Sequence, residues 1–368
     1  MLSVDLAGIQ LLERLNQNRN ITWTLFNTEA QGSIVYGDRD CIVYKLLDDL
    51  RLLENFDRVV FWGDFAHWLL YATQEWVPRT MRRLGSMSEA EGMNKWFHLF
   101  FLGGAERLLQ KVIVFGSTLY GLTAKQLAVG AYYDSLQSMY GSCRAAMPRD
   151  FYSAVFINQL VGANNAVLGC DCAFFLDDAK LLSTLGKECH GISTIIAEGK
   201  ALPLLVCAIG RTQSASLLSY FSSLVANRMG ASIVFLPWLA NNGIHGLCES
   251  LDLLSRSSYV ITDIYHCAVS SLRLGKSTIA FGSTSPSPTH SLSDKKKEIL
   301  FRQHLIGHNY VATERVSQAV IQDSSLGSLV DEVVGLLQDK LSVETANALL
   351  KTHVDSSSNL LQMALVTD

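Results

Sequence analysis

Short apolar runs alternate with amphipathic segments along the chain, and the alternation is most regular between residues 202 and 281. Strand–helix units joined by short turns predict a parallel sheet with right-handed crossovers. For this half we predict strands at Leu202–Ile209, Ala231–Pro237, Tyr259–Thr262 and Ser277–Phe281, with helices at Ser214–Met229, Gly246–Ser255 and Tyr265–Leu274.

The first half shows a less regular pattern, and residues 64–100 are richer in aromatic and charged side chains than a simple connection needs. Such an insertion often shapes a binding site. The patterns predict strands at Ile21–Phe26, Arg58–Trp62, Lys111–Phe115, Ala154–Ile157 and Asn165–Leu168, helices at Asp40–Leu53, Trp96–Gln110 and Ala124–Tyr140, and terminal helices at Leu326–Lys340 and Val343–Leu361.

These elements predict an α/β protein of GT-B-like architecture, with two Rossmann-like parallel-sheet domains that face a central cleft. A chain of 368 residues is long enough for two domains. We expect domains at 1–185 and 186–330, with terminal helices at 331–368 that pack back on them. Ligands of open α/β sheets lie outside the carboxyl ends of the strands, so the cleft is the expected site.

Composition narrows the class of protein. Hydrophobic residues make up 49% and charged residues 17%, which suits a well-buried enzyme and argues against disorder. The net charge of −4 does not favour nucleic-acid binding. The eight cysteines lack a disulfide or zinc spacing, and they suggest a reducing compartment. Asp5 and Glu13 argue against a signal peptide, and the apolar runs are too short to span a bilayer, so a cytoplasmic protein is expected.

Gly210 and Arg211 follow the strand at Leu202–Ile209, and Ser214 stands where the next helix begins. A glycine allows close approach of a ligand, a helix N-terminus attracts anions, and arginine offers a fork for phosphate or carboxylate. The same residues also suit an ordinary tight turn with an exposed arginine, and the pattern alone leaves both interpretations open.

Asp263, Tyr265 and His266 follow the strand at Tyr259–Thr262. Asp263 is placed to cap the following helix, and His266 falls in the first turn of that helix. A histidine at the carboxyl end of a parallel strand can serve as a general acid or bind an anion. A purely structural histidine is the alternative.

Gly282 and Ser283 follow the strand at Ser277–Phe281, and a basic run comes shortly after them. That run suits either the solvated start of a helix or the wall of an anion pocket. Its members are Lys295, Lys296, Lys297 and Arg302.

In the first half, Gly63-Asp64 and Gly116-Ser117 follow strands and are expected at the same cleft. Asp64 could bind sugar hydroxyls, act as a base, or cap a helix.

The segment Val260–Gly282 resembles the signature of the polysaccharide pyruvyl transferases: an apolar strand, Ser/Thr-Asp, two variable residues, His, small residues, Gly-Lys/Pro and another strand. Similarity extends in order over residues 20–320, with Cys172 where the family has proline. The other matching segments are Phe61-Trp62-Gly63-Asp64-Phe65, Val114-Phe115-Gly116-Ser117, Arg149-Asp150-Phe151-Tyr152-Ser153 and Leu168-Gly169-Cys170-Asp171-Cys172-Ala173-Phe174.

The resemblance implies transfer of the enolpyruvyl unit of phosphoenolpyruvate onto two hydroxyls of a sugar in a cell-surface or exopolysaccharide glycan, with no metal or organic cofactor. The acceptor would be a saccharide, free or lipid-linked, and a lipid-linked acceptor would bring the protein to the inner face of the membrane. It implies catalytic roles for His266 and Asp263. Donor binding is expected from Arg211, Gly210, Tyr265, Gly282, Ser283, Lys295, Lys296, Lys297 and Arg302 in the second domain, and acceptor binding from Asp64, Gly63 and Ser117 in the first.

One position departs from the family pattern, because Ile264 stands where many members carry arginine. Arg211 or the 295–302 segment could replace that charge, the donor could differ, or the chain could be non-catalytic. A GT-B glycosyltransferase using a nucleotide sugar and a glycan-binding relative without turnover therefore remain as alternatives.

Overall fold

The structure is a computed structural model that describes residues 2–16, 21–29, 32–36, 39–63, 66–162, 164–185, 202–212, 214–238, 243–284 and 291–366. The chain forms two compact units. The N-terminal unit contains Gly8–Cys172 and His353–Asp368, and the C-terminal unit contains Met1–Ala7 and Ala173–Thr352.

The described residues form eleven strands and a larger set of helices. The strands are β1 (Leu25–Asn27), β2 (Gly32–Tyr36), β3 (Arg39–Leu46), β4 (Val59–Trp62), β5 (Val112–Phe115), β6 (Ala145–Met147), β7 (Leu204–Ala208), β8 (Ser232–Phe235), β9 (Tyr259–Thr262), β10 (Ser277–Gly282) and β11 (Tyr310–Ala312).

The α-helices are α1 (Leu2–Asn16), α2 (Leu69–Tyr71), α3 (Val77–Leu84), α4 (Glu89–Phe100), α5 (Glu106–Leu109), α6 (Ala124–Leu127), α7 (Tyr132–Ser142), α8 (Phe151–Val161), α9 (Asp178–Leu185), α10 (Ala215–Met229), α11 (Gly243–Arg256), α12 (Tyr265–Arg273), α13 (Ser291–Gln303), α14 (Thr313–Gln322), α15 (Leu326–Gln338) and α16 (Lys340–Val366). A π-helix covers Ala72–Trp76, and short 3₁₀ helices cover Leu50–Asn55, Leu102–Gly104, Cys172–Phe175 and Gly307–Asn309.

The C-terminal unit is built on a five-stranded sheet in the order β11-β10-β9-β7-β8, and every paired strand in it is parallel. Numbered from the first strand of the unit, this is the doubly wound order 2-1-3-4-5. The chain reverses its winding between β7 and β9, and ligands of such sheets lie at that switch point, outside the carboxyl ends of the strands.

Alternate residues of this sheet enter two separate apolar layers, as the two-residue period of a strand requires. Leu205 and Cys207 of β7 pack with one layer of helices, α10, α14 and α15. Leu204 and Val206 pack on the other face with α11 and α12. Helices therefore cover both faces of the sheet, which explains why its strands are apolar almost throughout.

The N-terminal unit contains a parallel three-stranded sheet, β4-β5-β6, and a second three-stranded sheet in the order β1-β3-β2. In the second sheet β3 pairs parallel with β1 and antiparallel with β2. Trp76 and Trp96 are fully buried in the core of this unit. The sequence-predicted insertion thus contributes its aromatic residues to packing.

The structure confirms the predicted α/β class and, in the second half, each predicted strand and helix to within a few residues. The sequence pattern did not predict α13, β11 and α14. Helix α13 begins just after residues 285–290, whose serines and prolines suggested an irregular polar loop.

Several first-half predictions are wrong. Ala154–Ile157, predicted as a strand, lies inside α8, where the buried residues Ala154, Ile157 and Leu160 follow a helical spacing. A short apolar run fits both the two-residue period of a strand and the 3.6-residue period of a helix. The capping residue Asp150 is the sequence signal that indicates a helix here. Residues 40–53, predicted as a helix, form β3 and a 3₁₀ helix.

The remaining differences are smaller. The predicted strand Asn165–Leu168 is reduced to a single bridge between Ala166 and Ala146. The predicted helix Ala124–Tyr140 is divided into α6 and α7, and Trp96–Gln110 falls across α4, a 3₁₀ turn and α5. The predicted strand Ile21–Phe26 is confined to β1.

Candidate functional site

Asp263 joins the two strands on either side of the switch point. Its side chain is fully buried at the end of β9. One carboxylate oxygen accepts from the Gly210 amide at 3.0 Å, and the other accepts from the amides of Arg211 and Thr212 at 2.9 Å each. The carboxylate thus fixes the turn after β7 by charge-assisted hydrogen bonds.

Asp263 does not cap α12, which corrects the interpretation of this residue as a helix cap. The N-cap is Ile264, and no side chain caps the helix there. The Thr262 hydroxyl instead bonds the backbone just before the helix: its Oγ1 accepts from the Ile264 amide at 3.0 Å and donates to the Ala208 carbonyl at 2.7 Å. The aspartate is consequently available to hold the neighbouring turn.

His266 lies in the first turn of α12, directly after the switch-point end of β9. Its imidazole is partly exposed and stands edge-on to the Tyr265 ring, with 5.4 Å between the ring centroids. Tyr265 is buried. The structure therefore places the histidine at the carboxyl edge of the sheet, with the tyrosine ring packed against it.

Arg211 and Ile264 both lie next to Asp263, but Arg211 is exposed and Ile264 is buried. Arg211 is exposed on the turn that Asp263 holds. Ile264 is 4% exposed and packs in the apolar layer with Leu254 and Cys267. At the position where the family resemblance leads one to expect arginine, the chain buries an apolar side chain, so any cation at this edge must come from another element.

Lys297 of α13 is a fully buried lysine that connects the ends of β9 and β10. Its ammonium donates to the Asp263 carbonyl at 2.5 Å and to the Phe281 carbonyl at 2.6 Å, and it pairs with Asp294 at 2.9 Å. The pKa of Lys297 is lowered from its ordinary value, mainly because burial disfavours the charged ammonium. The Asp294 carboxylate partly offsets this effect, and the nearby charge of Arg211 adds to it. The Lys297 ammonium, which the sequence suggested for donor binding, is therefore already bonded to three oxygens of the protein.

The loop after β10 is also held by acidic side chains. Asp294 accepts from the Ser283 amide at 2.9 Å, and Glu314 accepts from the Ser283 hydroxyl and the Thr284 amide. Gly282 is buried against Tyr310, whose hydroxyl would collide with a Cβ at this position. The close approach of Tyr310 thus accounts for this glycine.

The other basic residues of α13 pair along the helix. Lys295 and Arg302 both contact Glu298, at 2.6 and 2.7 Å, and Lys296 is partly exposed beside them. Arg302 is exposed over 64% of its side chain. The run therefore separates into one buried lysine, which holds strand ends, and a set of partly exposed cations.

In the N-terminal unit, the Arg-Asp-x-x-Ser segment forms a buried polar framework. Arg149 pairs with Asp171 at 2.9 Å, and both side chains are about 95% buried. Asp150 caps α8 by accepting from the Ser153 amide at 2.8 Å, and it also accepts from the hydroxyls of Ser153 and Thr118. This network fixes the start of α8 to the loop after β5.

Of the three residues predicted to bind the acceptor, the structure describes two. Asp64 lies outside the described residues. Gly63 is buried with a φ of 108°, and its amide donates to the Phe115 carbonyl at 3.0 Å. Ser117 is 1% exposed. Gly63 and Ser117 lie at the ends of the neighbouring strands β4 and β5, as predicted, and their roles stay predictions.

His67 is a second polar group buried in this unit. Its Nε2 donates to the Phe100 carbonyl at 2.9 Å, so Nδ1 accepts from the Tyr140 hydroxyl at 3.2 Å. Burial lowers the pKa of His67 to about 4. The imidazole is therefore neutral in the folded protein at physiological pH.

This shift predicts a loss of stability in mild acid. Unfolded His67 has a pKa near 6.5 and folded His67 one of about 4. Between these values the unfolded chain binds the additional proton, so stability falls as pH decreases through this window. We expect His67 to account for a decrease of roughly 2 kcal/mol in unfolding free energy between pH 7 and pH 5. Urea titrations of the protein and of His67→Gln should show a smaller pH dependence in the variant; equal dependence would contradict the assignment.

The described part of the chain shows neither a cluster of metal-ligating side chains nor a helix that could span a membrane. Among those residues, no three His, Cys, Asp or Glu side chains are grouped to hold a metal ion. No described helix has the length and apolar character needed to cross a membrane.

The C-terminal unit is thus a doubly wound α/β domain with polar side chains gathered at its switch point. The family model for polysaccharide pyruvyl transferase matches residues 11–285, which include β7, β9, β10 and the segment with Asp263 and His266. The chain therefore belongs to the polysaccharide pyruvyl transferase family. A comparison with curated proteins found no match.

Proposed function

We propose that the protein transfers the enolpyruvyl unit of phosphoenolpyruvate to a sugar of a cell-surface or exopolysaccharide glycan and leaves pyruvate there as a ketal. Family membership supports this reaction class. The observation that carries the assignment of the donor site is the Asp263 bridge, because it fixes the Arg211 turn beside the strand that leads to His266. This edge is where doubly wound sheets bind ligands.

The proposed reaction needs an acid, an anion partner and two hydroxyls. Protonation of the donor's methylene carbon makes it a methyl group and leaves positive charge on the adjacent carbon. One sugar hydroxyl adds to that carbon and loses its proton, and the bond to the phosphate oxygen breaks. The second hydroxyl adds in the same way and closes the ketal, so the products are one ketal and one inorganic phosphate.

His266 is the proposed acid, because it is a partly exposed imidazole at the switch-point edge and histidine transfers protons near neutral pH. Arg211 is the proposed partner of the donor's phosphate or carboxylate. Asp263 acts through the turn that it holds and is a positioning residue. Lys297 also positions the strand ends, so the cations proposed beside Arg211 are Lys295, Lys296 and Arg302.

The proposal also includes the architecture, the absence of a cofactor and the cellular location that the sequence led us to expect. A parallel sheet in each unit supports the GT-B-like assignment. The chemistry above requires no metal or organic cofactor. We propose a cytoplasmic enzyme that acts on a saccharide, and a lipid-linked acceptor would bring it to the inner face of the membrane.

Arg211→Ala is expected to weaken phosphoenolpyruvate binding by about tenfold or more, since a charge-assisted contact contributes about 1.5–3 kcal/mol. Because Arg211 is exposed, its replacement should hardly change the melting temperature. Arg211→Lys keeps the charge without the fork and should restore binding only in part. Isothermal titration with phosphoenolpyruvate measures each affinity.

Arg228→Ala is the matched control, because Arg228 is an exposed arginine at the end of α10 that pairs with Asp331. It should bind phosphoenolpyruvate like the unaltered protein. Equal affinity in Arg211→Ala and Arg228→Ala would remove Arg211 from the donor site.

The buried Ile264 favours one second candidate, a glycan-binding relative without turnover, because the expected cation is missing from that position. A transferase for a nucleotide sugar needs the same architecture and the same anion-binding strand ends. A bound donor raises thermal stability by mass action. Protection by phosphoenolpyruvate and not by nucleotide sugars supports the ketal reaction, and the reverse pattern supports the transferase for a nucleotide sugar. Glycan binding without turnover on either donor would identify a non-catalytic relative.

A further inference from the structure

Three aromatic rings, two exposed and one partly exposed, form a cluster in the N-terminal unit. Tyr120 follows the loop after β5, and Phe151 and Tyr152 form the first turn of α8. Phe151 and Tyr152 are 60% and 50% exposed. The Tyr152 ring lies 5.4 Å from the Tyr120 ring and 6.4 Å from the Phe151 ring. We refer to Tyr120, Phe151 and Tyr152 as the aromatic platform.

The buried polar framework around Asp150 and Ser153 fixes the backbone that carries the aromatic platform. Phe151 and Tyr152 lie between Asp150 and Ser153, and the Asp150 carboxylate accepts from the Ser153 amide and from the Thr118 hydroxyl. Ser153 also accepts from the Leu119 amide at 2.8 Å, directly before Tyr120. The rings are therefore exposed side chains on a backbone that buried hydrogen bonds hold in one position. Such preorganisation lowers the entropy that a binding surface loses when a ligand binds.

Core packing does not account for the platform. Helix α8 buries Ser153, Ala154, Ile157 and Leu160, whereas Phe151 and Tyr152 in its first turn are exposed. Within the described residues, the hydroxyls of Tyr120 and Tyr152 have no hydrogen-bond partner. Exposed aromatic rings with available hydroxyls are suited to a ligand that is apolar on one surface and polar around its rim.

We propose that the aromatic platform binds a pyranose ring of the acceptor glycan. The Tyr152 ring makes angles of 64° with Tyr120 and 72° with Phe151, so the rings form a corner and not a parallel slot. A corner suits a chair-shaped ring, whose C–H face can rest on one aromatic ring while its hydroxyls meet the tyrosine hydroxyls.

The position of the platform also favours a sugar. Tyr120 comes three residues after Ser117, and α8 follows β6, so all three rings lie at the carboxyl edge of the parallel sheet. Ligands bind at this edge in open α/β sheets. The choice of an acceptor sugar rests on the proposed function, because an enzyme that forms a pyruvate ketal needs a place for its saccharide.

The platform can be tested without turnover by titrating methyl glycosides of glucose, galactose, mannose and N-acetylglucosamine and following saturation transfer from protein aromatic protons to the sugar. We expect at least one glycoside to bind. Tyr152→Ala and Phe151→Ala should weaken that binding about tenfold, and Tyr152→Phe should retain more of it. Tyr220→Ala is the matched control, because Tyr220 of α10 is 52% exposed.

Two results would overturn the proposal. One is binding of no glycoside at the highest soluble concentrations, and the other is equal binding by Tyr152→Ala and Tyr220→Ala. A change of sedimentation coefficient in Phe151→Ala with unchanged glycoside binding would instead assign the rings to contact with a second copy of the chain, and would also overturn it.

Phosphoenolpyruvate titrations of the same variants separate this proposal from the proposed function. If the unaltered protein binds a glycoside through the platform and does not bind phosphoenolpyruvate, the donor assignment fails and the platform stands. If phosphoenolpyruvate binds with Arg211-dependent affinity and Tyr152→Ala leaves glycoside binding unchanged, the platform fails and the donor assignment stands.

Discussion

Replacing His266 by alanine is expected to leave the protein folded and to lower ketal formation by about 10²–10⁴-fold, the usual contribution of a general acid. His266 is partly exposed in the first turn of α12, so its removal leaves the apolar layers of the sheet intact. The loss should appear in kcat more than in donor affinity, since proton transfer belongs to the transition state. Phosphate release and ketal product should fall together.

His308→Ala provides the matched control for this experiment. His308 is an exposed histidine of the same unit in the 3₁₀ helix Gly307–Asn309, away from the strand ends that carry the proposed site. We expect its turnover to equal that of the unaltered protein. Near-normal turnover in His266→Ala, with an unchanged melting temperature, would show that another group supplies the proton.

Lys297→Met is expected to lower the unfolding free energy by about 3–5 kcal/mol, the usual loss when one partner of a buried ion pair is removed. The variant leaves Asp294 without its cation and leaves the carbonyls of Asp263 and Phe281 without their shared donor. Methionine fills a similar volume, so the loss would report the missing contacts. Urea denaturation measures it.

Lys295→Met is the control two residues away on α13. Lys295 pairs with Glu298 but is 41% exposed, and an exposed pair contributes at most about 1 kcal/mol. Similar stability of Lys297→Met and Lys295→Met would contradict the view that Lys297 holds the strand ends together.

The C-terminal unit could be predicted well because its strands β7, β9 and β10 are buried on both faces and its helices are amphipathic. In such a sheet the apolar runs mark the strands directly, as for β9, where prediction and structure agree at Tyr259–Thr262. The pattern of the N-terminal unit is less regular. Helix α8 and strand β3 were misassigned there because runs of three or four apolar residues fit both periods.

The candidate site was predictable in its location but not in its contacts. Position after a parallel strand places His266 and Arg211 at the same edge. The contacts of Asp263 with the Gly210 amide and of Lys297 with the Asp263 carbonyl join residues that are 53 and 34 positions apart, and no local pattern encodes such contacts. The aromatic platform had a local signal, since Phe151 and Tyr152 fill the variable positions of the Arg-Asp-x-x-Ser segment.

A crystal structure of the protein soaked with phosphoenolpyruvate tests the central claim most directly. We expect the donor at the switch point between β7 and β9, with its phosphate or carboxylate on the Arg211 guanidinium and its methylene carbon facing the His266 imidazole. Donor density elsewhere on the molecule, or a fully occupied donor that contacts neither Arg211 nor His266, would contradict the proposed site and its mechanism.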